Sequence, residues 1–197
     1  MSIARALRRG QPETALELMA QGEPVDEPDS RGNTPLHYAA QKDYVEVALA
    51  LLAADADTGA RNARGRTPMH MAAKAGSDAV MHLLRDHGAP EWVQDKEAGL
   101  SPFDVAVMHN RIGAAEFLLR IPGTWGFKVD HVSENEVWPA LHIAAAEGFG
   151  QMVEFLLDAG FDPRALDDNG ETAAQVAQQR NHMAIARRLR EREARGF

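Results

Sequence analysis

The stretch Thr34-Pro35-Leu36-His37-Tyr38-Ala39-Ala40 returns as Thr67-Pro68-Met69-His70-Met71-Ala72-Ala73, 33 residues later. It returns again, less closely, as Ser101-Pro102-Phe103-Asp104-Val105-Ala106-Val107, as Leu141-His142-Ile143-Ala144-Ala145, and as Thr172-Ala173-Ala174-Gln175-Val176-Ala177. A fixed period of this size is the signature of a repeat array, in which each unit buries its apolar face only by stacking on a neighbour. A second periodicity tests the frame. The turn residues Gly10/Gly22, Asp43/Asp55, Gly76/Gly88, Asn110/Pro122 and Gly148/Gly160 are all 12 apart. The helical hairpins therefore keep one length, and the variation falls in the connections, above all in an insertion over 121–137.

The recurring residues have physical reasons. Thr or Ser caps the free N–H groups of a helix start, and Pro fits the first helical position because it has the right φ and no N–H to waste. Gly, or less comfortably Asp or Asn, takes the left-handed conformation between helices. Paired alanines allow close approach, and Leu51-Leu52, Leu83-Leu84, Leu118-Leu119 and Leu156-Leu157 fill the space between units. In the last unit this pair becomes Leu189-Arg190, within a run of arginines, as a wet outer face requires.

These motifs resemble the ankyrin-repeat family, with its T-P-L-H-x-A-A, a Gly, a second helix ending in Leu-Leu, and a Gly-Ala-Asp turn. The resemblance implies an all-α α-solenoid of stacked helix-turn-helix units joined by hairpin loops. Six units would fill the chain as a single domain, about 2–28, 29–61, 62–95, 96–133, 134–166 and 167–197. Departures fall at Pro139-Ala140 in place of Thr-Pro, at Asp43 and Asp55 in place of glycine, and at Pro122, so these places are expected to be the less stable ones.

Composition narrows the function. The 197 residues carry 29 acidic and 21 basic side chains, a formal charge of -8, the wrong sign for a protein that coats itself in nucleic acid. There is no cysteine, no apolar run of membrane-spanning length and no signal-peptide pattern at the N-terminus, so a cytoplasmic location is expected with no membrane partner. Arg outnumbers Lys 17 to 4, a bias that points to a GC-rich bacterial gene.

Chemistry finds little support. His37, His70 and His142 share one repeat position with Asp104, but stacked helices lie about 8 to 10 Å apart, whereas zinc ligands sit about 2.1 Å from the metal. The resemblance instead gives this His hydrogen bonds within and between neighbouring turns. His82 and His87, five apart, do not share a helix face. Asp167-Asp168-Asn169-Gly170-Glu171 superficially resembles a calcium loop, yet its first ligand position is Ala165, so it reads as an inter-repeat turn. There is no Walker loop, nucleophile elbow or H-E-x-x-H. Glu134, Glu136 and Glu147 are the residues a remote hydrolytic reading would use. Accordingly no catalytic residue, cofactor, metal or small-molecule substrate is expected, and the arginine run, interleaved with Glu191 and Glu193, reads as a solvated end helix, with no nucleic acid.

The expected activity is protein binding. The resemblance places the contact on the hairpin tips and the exposed face of each first helix. Carried onto this chain, the basic positions are Arg31, Lys42, Arg64, Arg66 and Lys74. A central group holds Leu100, Met108, His109 and Trp138, and the acidic positions include Glu136, Glu147, Asp168 and Glu171. Trp125, in the insertion, joins them. An apolar centre between charged flanks suits a protein interface. Trp92 and Trp125 serve equally as gap fillers or as interface residues. The partner is another protein; an alternative within this class is a bacterial immunity protein that occludes the active site of a toxin or effector enzyme.

Overall fold

A computed structural model describes residues 1–120 and 140–195. The described secondary structure is helical apart from an isolated bridge between Leu166 and Thr172 and a bridge residue at Arg120. The chain divides into two compact units, Met1–Ala106 and Val107–Phe197.

The first unit holds α1 (Ile3–Arg8), α2 (Pro12–Ala20), α3 (Pro35–Lys42), α4 (Val45–Ala53), α5 (Pro68–Ala75), α6 (Asp78–Asp86) and the start of α7 (Pro102–Met108). None exceeds nine residues, too few for an isolated helix to hold in water, so packing supplies the stability. The first helices of successive repeats pack directly: α1 on α3, and α3 on α5. Ala39, Ala40, Ala72 and Ala73 are fully buried between them, which is what lets their backbones approach. Leu51, Leu84 and Met81 close the second layer, each of them buried and each worth about 1.5–3 kcal/mol on removal from water.

The second unit holds the end of α7, then α8 (Ile112–Leu119), α9 (Ala140–Ala146), α10 (Gly150–Asp158), α11 (Ala173–Gln179) and α12 (Met183–Arg195). Here α9 packs on α11, and α10 on α8 and α9. Ala144, Ala145, Ala173 and Ala174 repeat the close approach seen in the first unit.

Turn chemistry follows the sequence. Asp43, Asp55 and Asn110 all take the left-handed conformation, with φ of 58° or less, and Asn181 joins them at 66°. Asn181 lies 33 residues after Gly148, so the last hairpin turns in the same frame although its turn residue was not among the expected pairs. Pro122 lies outside the described residues.

Candidate functional site

Three histidines at one repeat position each bond the hairpin of the following repeat. Thr34 N–H donates to His37 Nδ1 at 3.1 Å, which leaves the proton on Nε2 to donate to the Arg66 carbonyl at 2.9 Å. His70 repeats both bonds, with Thr67 N–H at 3.1 Å and the Leu100 carbonyl at 3.0 Å. In the second unit His142 Nε2 donates to the Glu171 carbonyl at 2.8 Å. Burial drives the pKa of His37 down and that of His70 to about 4, against the opposing pull of those carbonyl bonds. In His37 and His70 both ring nitrogens are committed to structure. Asp104 occupies the same column and caps its own helix by accepting from Ser101 N at 2.9 Å and Ser101 Oγ at 2.6 Å, while burial pushes its carboxyl up. The Asp104 carboxyl thus accepts at its helix start where the histidine ring accepts with Nδ1.

The hairpin tips are built by a second column that sequence reasoning missed. Asp29 Oδ1 accepts from the N–H groups of Arg31 and Asn33, and Asn62 Oδ1 from those of Arg64 and Arg66. Asp95 Oδ1 accepts from Ala98 and Leu100, and Asp167 Oδ1 from Asn169 and Glu171. The signal was present as an Asp or Asn three residues ahead of Gly32, Gly65 and Gly170, and four ahead of Gly99. Burial opposes the charge on Asp29, but the bonds from Tyr38 and from the Arg31 and Asn33 backbone outweigh it and hold the carboxyl below its usual range. The same balance, with Ala98 and Arg66 as the leading donors, lowers Asp95.

Successive tips are laddered together. Ala63 N–H donates to the Arg31 carbonyl at 3.0 Å and Lys96 N–H to the Arg64 carbonyl at 2.8 Å. Asn62 Nδ2 donates to Asn33 Oδ1 at 2.8 Å. Gly32 has a φ of +74°, and a Cβ there would lie 2.9 Å from the Ala63 nitrogen, so the tips approach this closely only with glycine between them.

The tips and the faces of α3 and α5 enclose a groove of about 620 Å³ in the first unit. It is lined by Ser30, Arg31, Asn33, Tyr38, Gln41, Asn62, Ala63, Arg64, Arg66, Met71 and Lys74, a set with four cations and no carboxylate. Four of the expected positions, Arg31, Arg64, Arg66 and Lys74, thus converge. Lys42 is exposed at the end of α3 but outside this lining. Tyr38 and Met71 are additions; the Tyr38 hydroxyl donates to Asp29 Oδ2 at 2.7 Å and so fixes the groove wall to the first tip.

Two expectations need correction. Leu100 is buried, with 3% of its surface exposed: it holds the repeat position of Asn33, also buried, and of Arg66, whose carbonyl accepts from the preceding histidine as that of Leu100 does, and its apolar side chain is withdrawn from water. Arg66 is no free cation: its Nε lies 3.0 Å from a fully buried oxygen-bearing side chain, that of Asp95. Arg64, by contrast, meets only the exposed Glu97 at 3.3 Å.

In the second unit Met108 is 39% exposed and His109 half-buried. Glu147 is exposed beyond α9, and Asp168 is exposed on its hairpin. Glu171 accepts from the Gln179 amide and lines a groove of about 380 Å³ with Gln175, Gln178, Gln179 and Arg190. Trp125, Trp138, Glu134, Glu136 and the insertion lie outside the described residues. Trp92 is half-buried against Phe103, ring centres 6.4 Å apart and tilted by 40°. The arginines of α12 are engaged: Arg188 bonds Glu154 at 2.6 and 3.0 Å, Arg192 reaches Asp158, and Arg190 donates to Gln178. No helix among the described residues is long and apolar enough to cross a membrane.

Comparison with known proteins agrees with this architecture. The profile described as ankyrin repeats (many copies) matches residues 18–72, and that described as ankyrin repeats (3 copies) matches 51–130 and 126–196. The ARF GTPase-activating protein Git of Drosophila melanogaster is 39% identical over 64 residues, 32% of this chain and 9% of that protein. The B-cell lymphoma 3 protein homolog of Mus musculus is 36% identical over 81 residues, 41% of this chain and 18% of that protein. The chain thus spans less than a fifth of either relative's length. Ankyrin repeats generally mediate protein–protein interaction and act as non-catalytic modules. With the Thr-Pro-x-His helix starts, the laddered hairpin tips and profiles matching most of its length, the chain belongs to the ankyrin-repeat family.

Proposed function

We propose that this protein is a non-catalytic binding protein that holds a partner protein against the hairpin tips and first-helix faces of its first unit. The observation that carries the reading is the groove of about 620 Å³ whose lining holds Arg31, Arg64 and Lys74, with Arg66 paired to Asp95, and no carboxylate, in a chain whose net charge is -8. An acidic protein that gathers cations on one polar, hydrogen-bonding surface has a place where a partner is steered and oriented. Arg31 and Arg64 stand at the tips, and Ala63 lies between them on the exposed ladder. Met108, Glu147, Asp168 and the insertion 121–137, with Trp125, Glu136 and Trp138, are proposed as further contacts. Occlusion of an enzyme's active site, as by an immunity protein, is one use such a surface would serve.

The reading is tested by placing a photo-crosslinking residue at Ala63 and, separately, at Leu49, which is 51% exposed on α4 and outside the groove. The reading expects a protein adduct from the native cell at position 63. An adduct at position 49 with none at 63 would move the interface to the second-helix face.

A further inference from the structure

The groove also specifies what kind of partner segment it takes, an inference that rests on the protein-binding reading above. Arg31, Arg64 and Glu97 occupy one position of three successive tips, two residues beyond Asp29, Asn62 and Asp95. The molecule itself shows how a carboxylate seats on this column: Glu97 lies 3.3 Å from Arg64 Nε. One tip earlier the pattern fails. Arg31 has Arg64, a like charge, where Arg64 has Glu97, and Arg31 forms no salt bridge among the described residues. The ladder bond from Ala63 N–H to the Arg31 carbonyl holds these two tips side by side. Guanidinium groups carried on adjacent tips repel when they approach, and an anion placed between them removes the repulsion while gaining charge-assisted hydrogen bonds.

The floor below selects the form of that anion. Ser30 and Gln41 present a hydroxyl and an amide able to donate to and accept from a peptide backbone, beside the amides of Asn33 and Asn62, which are bonded to each other, to Tyr38 and to the tip N–H groups. Tyr38 is the one aromatic residue of the lining, and it is 5% exposed, so no ring is offered for bases to stack on. We infer that the groove takes an extended acidic segment of the partner protein, with a Glu or Asp side chain placed between Arg31 and Arg64 and the segment's backbone lying over the polar floor. The acid between the tips does for Arg31 what Glu97 does for Arg64.

The test uses the full chain and three labelled probes of equal length: oligoglutamate, oligoglutamine and oligothymidylate. Binding is read by fluorescence anisotropy for wild type, for Arg31→Glu/Arg64→Glu, and for Arg5→Glu/Arg9→Glu (the α1 variant), which makes the same change of net charge at exposed positions in α1 and just after it, outside the lining. The inference expects oligoglutamate to bind best, to weaken as salt is raised, and to lose about tenfold or more in the tip variant, with little loss in the α1 variant. Equal losses in both variants would reduce the effect to overall charge and overturn it. So would preference for oligothymidylate, which would make the groove a nucleic-acid surface. Circular dichroism confirms that each variant is folded, and Arg31→Gln/Arg64→Gln, expected to show an intermediate loss, repeats the test without adding charge. The crosslink at Ala63 separates the two readings. An adduct that survives Arg31→Glu/Arg64→Glu undiminished overturns the acidic segment and leaves protein binding standing. No protein adduct, together with tip-dependent oligoglutamate binding, overturns the protein-binding reading while the groove keeps its preference for acidic chains.

Discussion

Arginine is used in two opposite ways at the two ends of this chain. In α12 the side chains at 188, 190 and 192 follow one another closely in sequence, yet each is engaged within the second unit, by Glu154, Gln178 and Asp158. In the first unit Arg31 and Arg64 are 33 residues apart, and the fold sets them on adjacent tips of one groove whose lining holds no carboxylate; the exposed Glu97 of the next tip reaches Arg64, and Arg31 forms no salt bridge among the described residues. Density of charge along the sequence is thus a poor guide to charge offered to a partner. What matters is whether the fold supplies an internal counter-charge. Arg66 makes the same point within the groove itself, since Asp95, 29 residues away, neutralises it.

The largest effect is expected at the tip ladder. Gly32→Ala places a Cβ 2.9 Å from the Ala63 nitrogen at a φ of +74°, and should cost about 2 kcal/mol or more and separate the two tip arginines. Urea unfolding measures the first effect, and loss of oligoglutamate binding at temperatures where the variant is folded measures the second. An unchanged midpoint would show that the tips do not need this approach.

Next in size is His70→Ala, which strands the Thr67 N–H and the Leu100 carbonyl and leaves a cavity. A loss of about 1–3 kcal/mol is expected, against a smaller loss for Asp104→Ala, whose side chain, among the described residues, bonds within its own helix start. Equal losses would remove the distinction between the two members of the column.

The histidines also set a pH dependence with a definite sign. His70 titrates at about 4 in the folded protein against 6.5 for an ordinary histidine, and burial lowers His37 as well. Between those values the unfolded chain binds more protons than the folded one, so stability is full above about pH 6.5 and falls as the pH drops toward about 4. Below that, protonation of Asp29 and Asp95, whose carboxyls are held low, removes more. His70→Gln should flatten the fall between pH 6.5 and 4; an unaltered slope would assign it to other groups.

The smallest effect is expected at the other arginine cluster. Arg188→Ala opens a half-exposed pair with Glu154 and should lower Tm slightly without altering oligoglutamate binding. A binding loss there would show that α12 takes part in recognition.

Much of the fold was legible because each repeat restates the same local chemistry. Thr34 and Thr67, the prolines after them and the left-handed turn residues act within a few positions of themselves, so their pattern survives in one dimension. The site was legible only in part. Arg31 and Arg64 were recognisable from their place in the repeat, but the burial of Leu100 depends on how its hairpin packs against the neighbouring repeat, and the pairing of Arg66 depends on a residue a whole repeat away. The Asp29, Asn62, Asp95 and Asp167 column was visible as a spacing to glycine and lacked meaning until its N–H partners were seen.

The central claim is that the first unit's tip arginines, and not the denser cluster of α12, recognise a protein partner through its acidic segment. The direct measurement is the affinity, by isothermal titration calorimetry, of the partner captured at Ala63 for wild type, Arg31→Glu/Arg64→Glu and Arg188→Ala. The account predicts a loss of about tenfold or more for the tip variant and none for Arg188→Ala. Undiminished affinity in the tip variant, or a loss confined to Arg188→Ala, would contradict it.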